Sequence, residues 1–207
     1  MTKELWKEFG NSLIHPLDTF EEIRYKKTGS VGIASLFIFL LFFVTSAERQ
    51  MLAFRFNKFS PENTNPLLIF VSSTLLIIIA VAVNWGISTL WDGKANFRTI
   101  WIVLGYSLCP YIASTVVRML VSHFMILDEI TLLNFISTAG LIWTGLLIWF
   151  GLLQAQEYTI GKNALCLLVT IIGIVLVIAL GFLVIMLFSQ MFSFFGTLVE
   201  ELTLRFK

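Results

Sequence analysis

The stretch from Asn84 to Tyr111, NWGISTLWDGKANFRTIWIVLGYSLCPY, decides how this chain folds. It starts near the end of one apolar run, crosses a polar loop at Asp92-Gly93-Lys94, and enters a second apolar run that contains Gly105 and Pro110. Asp-Gly favours a tight turn in which the glycine is free to take a positive φ. The two apolar runs are therefore predicted to form a helical hairpin with a short loop.

The composition around this hairpin is that of a membrane protein. Hydrophobic residues make up 57% of the 207 residues and charged residues only 13%, whereas soluble domains carry about 25% charged residues. The apolar runs are continuous and reach the roughly 20 residues that a helix needs to cross a bilayer, unlike the short alternating segments of a β-barrel. We predict an all-α polytopic membrane protein with five transmembrane helices, over approximately Val31–Phe54, Pro66–Leu90, Phe97–Val121, Thr131–Leu153 and Ala164–Phe195.

The chain divides into an amphipathic segment on the inner face, residues 1–30, and a five-span transmembrane domain, residues 31–207. The segment carries acidic residues and no early apolar core, so cleavage as a signal peptide is not expected. Its apolar spacing predicts two short helices on the inner headgroup layer, with Trp6 and Tyr25 at the interface. They would either cap the ends of the bundle or dock a cytosolic partner. The fifth run exceeds one crossing, so it is expected to tilt, to kink near Gly173 or Gly181, or to continue as an amphipathic end.

The distribution of Lys and Arg predicts the orientation. Eight of them fall on the side of the N-terminus and five on the other side, when Arg118 within the third span is left out. Because cytoplasmic loops carry the excess of positive charge, a multi-pass protein of the cell membrane with a cytoplasmic N-terminus and an extracytoplasmic C-terminus is predicted.

Two polar features lie inside the hairpin spans. Asn84 is expected to face other helices, because an amide without a partner in hydrocarbon costs several kcal/mol. Pro110 is expected to kink the third span and to free the carbonyl of Tyr106, with Ser107 or Tyr106 satisfying neighbouring groups. Such a break marks substrate paths in transporters and is also an ordinary packing device.

Charged residues at the outer ends of the spans have structural explanations. Glu48 and Arg49 are expected to form an ion pair at the membrane boundary, and Arg118 to extend to the outer interface near His123. The acidic pair Asp128-Glu129 either holds a cation or, as we expect, caps the N-terminus of the fourth span.

Sequence motifs for catalysis are missing. The chain has no phosphate-binding glycine loop, zinc-spaced histidines, nucleophile elbow or cysteine cluster, so no cofactor, metal or catalytic residue is predicted. A nucleic-acid role is unsupported, because the net charge is only +1 and the basic residues are scattered along the chain. A membrane-embedded enzyme that uses Glu157 or Asp92 stays a weak alternative, which would need a deep pocket joining those carboxylates.

The motifs Leu90-Trp91-Asp92-Gly93-Lys94 and Gly105-Tyr106-Ser107-Leu108-Cys109-Pro110-Tyr111 resemble the Yip family of five-span membrane proteins, in its bacterial branch. The resemblance extends to Asn84-Trp85, Asp128-Glu129 and the stretch His15–Phe20. It implies the same five-span topology, with a cytosolic N-terminus. Eukaryotic members are associated with Rab-type GTPases and vesicle traffic. This chain lacks their Asp-Leu-x-Gly-Pro type motif before the first span, so Rab binding is not implied.

Two functions are compatible with these features. The first is a non-enzymatic scaffold or accessory subunit for membrane transport or trafficking, bound to other membrane proteins or to copies of itself. The second is a small transporter, channel or lipid-moving protein with a polar path near the kinked third span. The candidate functional or packing residues are Asn84, Trp85, Asp92, Gly93, Lys94, Gly105, Tyr106, Ser107, Pro110, Asp128 and Glu129.

Overall fold

The computed structural model describes residues 20, 21, 25, 29–52, 56, 65–126 and 129–205, although few side chains are described beyond residue 197. The described residues form helices α1 (Val31–Met51), α2 (Pro66–Leu90), α3 (Phe97–Ser107), α4 (Cys109–Ser122), α5 (Ile130–Gln156) and α6 (Ile160–Arg205). Five stretches are long and apolar enough to span a membrane, with α3 and α4 together forming the third. The predicted all-α, five-span architecture is confirmed. Most of residues 1–30, Trp6 included, lie outside the described residues.

The third span is the centre of the bundle. In its most apolar window 44% of the residues are buried, against none in the window of α6. Helix α3 packs between α1 and α5, while α4 packs on α5 and α1. The hydrophobic core follows this helix, with Ile100, Val103 and Tyr106 at its middle. The third span therefore lies at the centre of the bundle, in contact with α1, α2 and α5, whereas α6 packs on α2.

Glycines set how closely the helices approach this axis. A β-carbon at Gly105 would lie 2.6 Å from the β-carbon and 2.8 Å from the carbonyl oxygen of Ala34, so α1 and α3 cross almost backbone to backbone. Gly140 of α5 similarly lies against Ser114 of α4. Gly145 has nothing within 4 Å of its β-carbon position. Small residues allow such close crossings in membranes, where packing replaces the hydrophobic driving force.

The predicted break at Pro110 is present. The helix is interrupted at Leu108, which separates α3 from α4. The backbone N–H of Tyr111 leaves the helical pattern and donates to Thr144 Oγ1 of α5 at 3.1 Å. Ser107 was expected to satisfy groups freed at the kink, but its hydroxyl donates to Val103 O, four residues back, at 2.7 Å. The group that accommodates the break is thus Thr144, a residue that sequence reasoning did not select.

Helix α6 continues as one helix of 46 residues. At about 1.5 Å per residue this is roughly 70 Å, more than twice the hydrocarbon thickness. It packs mainly on α2, and every residue from Ala179 to Thr197 is exposed. The helix is not interrupted at Gly173 or Gly181 and continues beyond the length of one crossing; its tilt and an amphipathic end stay predictions.

Candidate functional site

A polar cluster lies where the hairpin loop meets the connection between α5 and α6. We call this side of the bundle the hairpin end and the opposite side the pocket end. The hairpin-end cluster comprises Tyr25, Gly93, Lys94, Gln156, Glu157 and Tyr158. It joins three segments that are far apart in sequence: the N-terminal segment, the α2–α3 loop and the α5–α6 loop.

The hairpin loop is tight, but its geometry differs from the prediction. Asp92, not Gly93, adopts the left-handed conformation, with a φ of 55°, and no described glycine has a positive φ. Aspartate tolerates this conformation better than most residues. Gly93 is needed for space, since a β-carbon there would lie 2.6 Å from the Tyr158 hydroxyl and 2.8 Å from the β-carbon of Ser88. The expectation of a positive φ at Gly93 was wrong: Asp92 adopts the left-handed conformation of the turn, and a glycine is needed at 93 because neighbouring side chains leave no room for a β-carbon.

One carboxylate organises the charges of the hairpin-end cluster. Glu157 sits at the C-cap of α5 with a φ of 55°, and its Oε2 forms an ion pair with Lys94 Nζ. Its Oε1 accepts a hydrogen bond from the Tyr25 hydroxyl at 2.9 Å. The Lys94 side chain is 62% exposed, so the pair is held in place and still reachable from water. Asp92, the other carboxylate of the enzyme alternative, is exposed.

Two buried side chains at the α5–α6 connection form hydrogen bonds that hold the α2–α3 loop in place. Gln156 is 1% exposed, and its Oε1 accepts the backbone N–H of Ala95 at 3.1 Å. The Tyr158 hydroxyl lies within hydrogen-bond distance of Ser88 O, at 3.2 Å, and Trp91 O, at 3.3 Å. These contacts fix the loop after α2 to the start of α6. Neither Gln156 nor Tyr158 was among the predicted site residues. The sequence feature that indicates them is the polar run of residues 154–158 at the end of the fourth span.

The environment of Tyr158 predicts a pH dependence of stability. Burial, with smaller contributions from Cys166 and Asp92, raises the pKa of Tyr158 to about 12, above the roughly 10 of an unfolded tyrosine. The unfolded chain therefore loses this proton first as pH rises, and the stabilisation is complete below pH 10 and falls between pH 10 and about 12. Unfolding of the purified protein in mild detergent, followed across this range, should show the decline.

Tyr158→Phe is the matched variant for this measurement, because it keeps the ring and removes the titrating hydroxyl. It should be less stable than the parent at pH 8 and should lose less stability between pH 10 and 12. An equal decline in both proteins would show that other groups cause it.

Nearer the middle of the membrane, α2 and α6 share a buried polar contact. Asn84 is 3% exposed, and its Nδ2 donates to Thr170 Oγ1 at 3.1 Å. Thr170 in turn donates to Cys166 O at 2.7 Å. The expectation that Asn84 faces other helices is confirmed. Its Oδ1 makes no hydrogen bond to the described part of the chain.

Tyr106 and Ser107 are also buried, and their partners differ from that of Asn84. Tyr106 is 1% exposed and its hydroxyl accepts the backbone N–H of Ser30 at 3.2 Å, while its ring packs edge-on against Phe37. Ser107 is 0% exposed. The polar residues of the hairpin are thus held by separate partners: Thr170 of α6 for Asn84, and Ser30 with α1 for Tyr106.

The remaining candidates lie apart from the hairpin-end cluster. Trp85 is 45% exposed and packs edge-on against Phe97. Glu129 stands at the N-cap of α5 without a capping bond from its side chain; its Oε2 instead accepts the N–H of Ile126 at 3.2 Å. Glu129 thus occupies the expected capping position at the N-terminus of the fourth span, although its side chain makes no capping hydrogen bond, and Asp128 lies outside the described residues.

Arg118 and Glu48 form an unpredicted ion pair at the pocket end. Arg118 Nη1 lies 2.7 Å from Glu48 Oε1, which links α4 to α1. Glu48 thus pairs with a residue 70 positions away in addition to any contact with its neighbour Arg49. The guanidinium of Arg118 reaches across to the carboxylate of α1, a partner that the sequence did not indicate, because a partly desolvated charge requires a counter-charge.

The described residues include no group of three or more His, Cys, Asp or Glu side chains that could hold a metal ion. Both cysteines are free thiols.

The fold and its polar contacts define a multi-pass α-helical membrane protein with a tight loop between its second and third spans. The model of the Yip1 domain matches residues 10–185, most of the chain. The protein therefore belongs to the Yip family, as the motifs of the third span indicated. No curated protein and no solved structure matches the chain.

Proposed function

We propose that the protein is a non-enzymatic scaffold or accessory subunit of the cell membrane, which supports membrane transport or trafficking by binding other membrane proteins or its own copies. The hairpin-end cluster carries this proposal. It would face the cytoplasm in the orientation predicted from charge. The Lys94–Glu157 pair gives it a fixed pattern of charge on an accessible surface.

The positions of the other hairpin residues favour a scaffold over a transport path. Asn84, Tyr106 and Ser107 are all at most 3% exposed, and each makes a hydrogen bond within the bundle. A path for a polar substrate needs polar groups that can exchange protein partners for the substrate. Here Asn84 and Tyr106 join different segments of the bundle, and Ser107 bonds within its own helix, which supports the structural use of the kink at Pro110.

A charge swap tests whether the hairpin-end cluster binds a partner. Lys94→Glu alone places two carboxylates together and should weaken the fold slightly, because the Lys94 side chain is mostly exposed and ion pairs at the surface contribute little. Lys94→Glu combined with Glu157→Lys restores the pair with its polarity reversed. We expect the double variant to keep the unfolding temperature of the parent and to lose the partner or homo-oligomer that purifies with the parent in mild detergent.

Arg98→Glu is the control, since Arg98 is exposed at the same end and outside the cluster. It should retain the partner. A protein that is strictly monomeric and free of partners, or a double variant that binds as well as the parent, would contradict the proposal.

A further inference from the structure

Helix α6 is too long and too apolar to be covered by the bilayer alone. Its apolar part, Ile160–Thr197, has 38 residues, or about 57 Å of helix, whereas the hydrocarbon core measures about 30 Å. To fit by tilting, it would have to lean by roughly 60°, and transmembrane helices tilt by at most about 40°. Part of this apolar helix therefore lies outside the hydrocarbon.

The contact between α2 and α6 shows where α6 leaves the bilayer. The two helices run antiparallel and meet at Asn84 and Thr170. Pro66, the first residue of α2, precedes Asn84 by 18 residues. The same distance after Thr170 brings α6 to the level of Pro66 at Phe188. Since α2 is itself long enough to cross the membrane, residues 189–205 of α6 project from the pocket end of the bundle, by about 25 Å.

The projecting part of α6 carries exposed aromatic rings. Phe188, Phe192 and Phe195 are each more than half exposed, and the last two lie about 6 Å and about 10 Å beyond the level of Phe188. A helix end that lies on the headgroups would need a bend near Phe188, whereas α6 continues there without interruption. An apolar patch of this kind outside the hydrocarbon marks an interaction site.

The spacing of the apolar residues indicates what covers them. Phe188, Phe192 and Phe195 are separated by four and three positions, and the sequence continues the same spacing at Val199 and Leu202. Alternating steps of three and four residues are the a and d positions of a heptad repeat, which form the seam of a coiled coil. The projecting part of α6 thus has the pattern of a helix that pairs with another helix.

The same helix of a second copy fits this stripe. Two copies in one membrane share one topology, so their α6 helices run parallel at the same depth and like positions meet in register. Helix α6 has no charged residue between Lys162 and Glu200. Glu200 and Glu201 occupy positions b and c of the repeat, outside the seam, so like charges do not oppose the pairing. Helix α6 packs mainly on α2, which leaves it accessible at the edge of the bundle.

We infer that the projecting part of α6 pairs with α6 of a second copy in a parallel coiled coil, with Phe188, Phe192 and Phe195 in its seam. The inference goes beyond the proposed function, because it uses the opposite end of the bundle and no residue of the hairpin-end cluster. That cluster is then left for a different membrane protein. The charge swap at Lys94 and Glu157 should remove that protein and leave the α6 dimer intact, so the two ideas fail separately.

Two phenylalanines on different faces of α6 test the pairing. Phe192 is 69% exposed and Phe194 is 63% exposed, but Phe194 occupies position c, away from the seam. Phe192→Glu places two carboxylates in an apolar seam and should weaken dimerisation about 100-fold or more, the effect of losing a central interface residue. Phe194→Glu should dimerise like the parent. Sedimentation equilibrium in mild detergent, over a range of protein concentrations, measures the dissociation constant.

Cysteine crosslinking tests the same contact in the membrane without adding a charge. Phe192→Cys, treated with copper phenanthroline as the oxidant, should give a disulfide-linked product of twice the mass of the chain. Phe194→Cys should give no more of it than the parent, whose free Cys109 and Cys166 set the background.

Four results would overturn the inference. The first is a parent that stays monomeric at every concentration. The second is an equal effect of Phe192→Glu and Phe194→Glu, which would mean that lipid covers both rings. The third is a Phe192→Cys product linked to a different protein. The fourth is a dimer that persists in Phe192→Glu but is lost in the charge swap, since the copies would then meet at the hairpin end.

Discussion

Gly105→Ala is expected to destabilise the bundle by about 1–3 kcal/mol, the usual cost of overpacking a tight core. Its new methyl would lie 2.7 Å from the α-carbon of Ala34 and 2.8 Å from the carbonyl oxygen of that residue. Backbone atoms cannot move aside as a flexible side chain does, so α1 and α3 must separate. Thermal unfolding in mild detergent, followed by circular dichroism, would measure the loss.

Gly145→Ala is the matched control, because it makes the same change in a transmembrane helix with nothing within 4 Å of the new atom. Alanine is the better helix former by about 0.5–1 kcal/mol, so this variant should be as stable as the parent or more stable. If Gly105→Ala matched Gly145→Ala, the close crossing of α1 and α3 would not contribute to stability.

Tyr106→Ala is expected to cost about 3–5 kcal/mol, as for other buried aromatic side chains that leave a cavity. Tyr106 is the largest of the fully buried side chains in the described residues, and it fills the space between α1 and α3 next to Phe37. A loss of this size should leave little folded protein in detergent. The measurement is the fraction of monodisperse, helical protein after purification.

Tyr106→Phe separates the ring from the hydroxyl. It keeps the ring and removes the hydroxyl that accepts the Ser30 N–H, which should cost about 0.5–1.5 kcal/mol. A phenylalanine variant as unstable as the alanine variant would show that the hydrogen bond, and not the packing of the ring, holds the start of α1 against the third span.

The family motif therefore marks a packing site at Gly105 and Tyr106. Gly105 has no side chain and lies where α1 and α3 cross, and the ring of Tyr106 fills the space beside this crossing. The sequence places Gly105 and Tyr106 in a kinked span but does not indicate which residues they contact. Their partners, Ala34 and Ser30, lie about 70 residues earlier in the chain, and no periodicity of the apolar runs indicates which faces of two spans will meet.

The local features of the chain were predictable from the sequence alone. Continuous apolar runs have only one stable form in hydrocarbon, the helix, because every backbone polar group must bond within its own segment. That constraint fixed the five spans, and proline chemistry fixed the break at Pro110. The inward position of Asn84 followed from the cost of an unpaired amide.

What only the tertiary structure decided was which polar group meets which. Lys94 forms an ion pair with Glu157, Arg118 forms one with Glu48, and the Tyr111 N–H donates to Thr144. The partners in each pair are more than 30 residues apart in sequence. A span's sequence states that a buried charge or donor needs a partner, but the partner depends on the rotation and crossing of whole helices. The rotation and crossing of the helices are set by side-chain packing, because lipid tails are as apolar as the helix surfaces and the hydrophobic effect therefore favours no particular face.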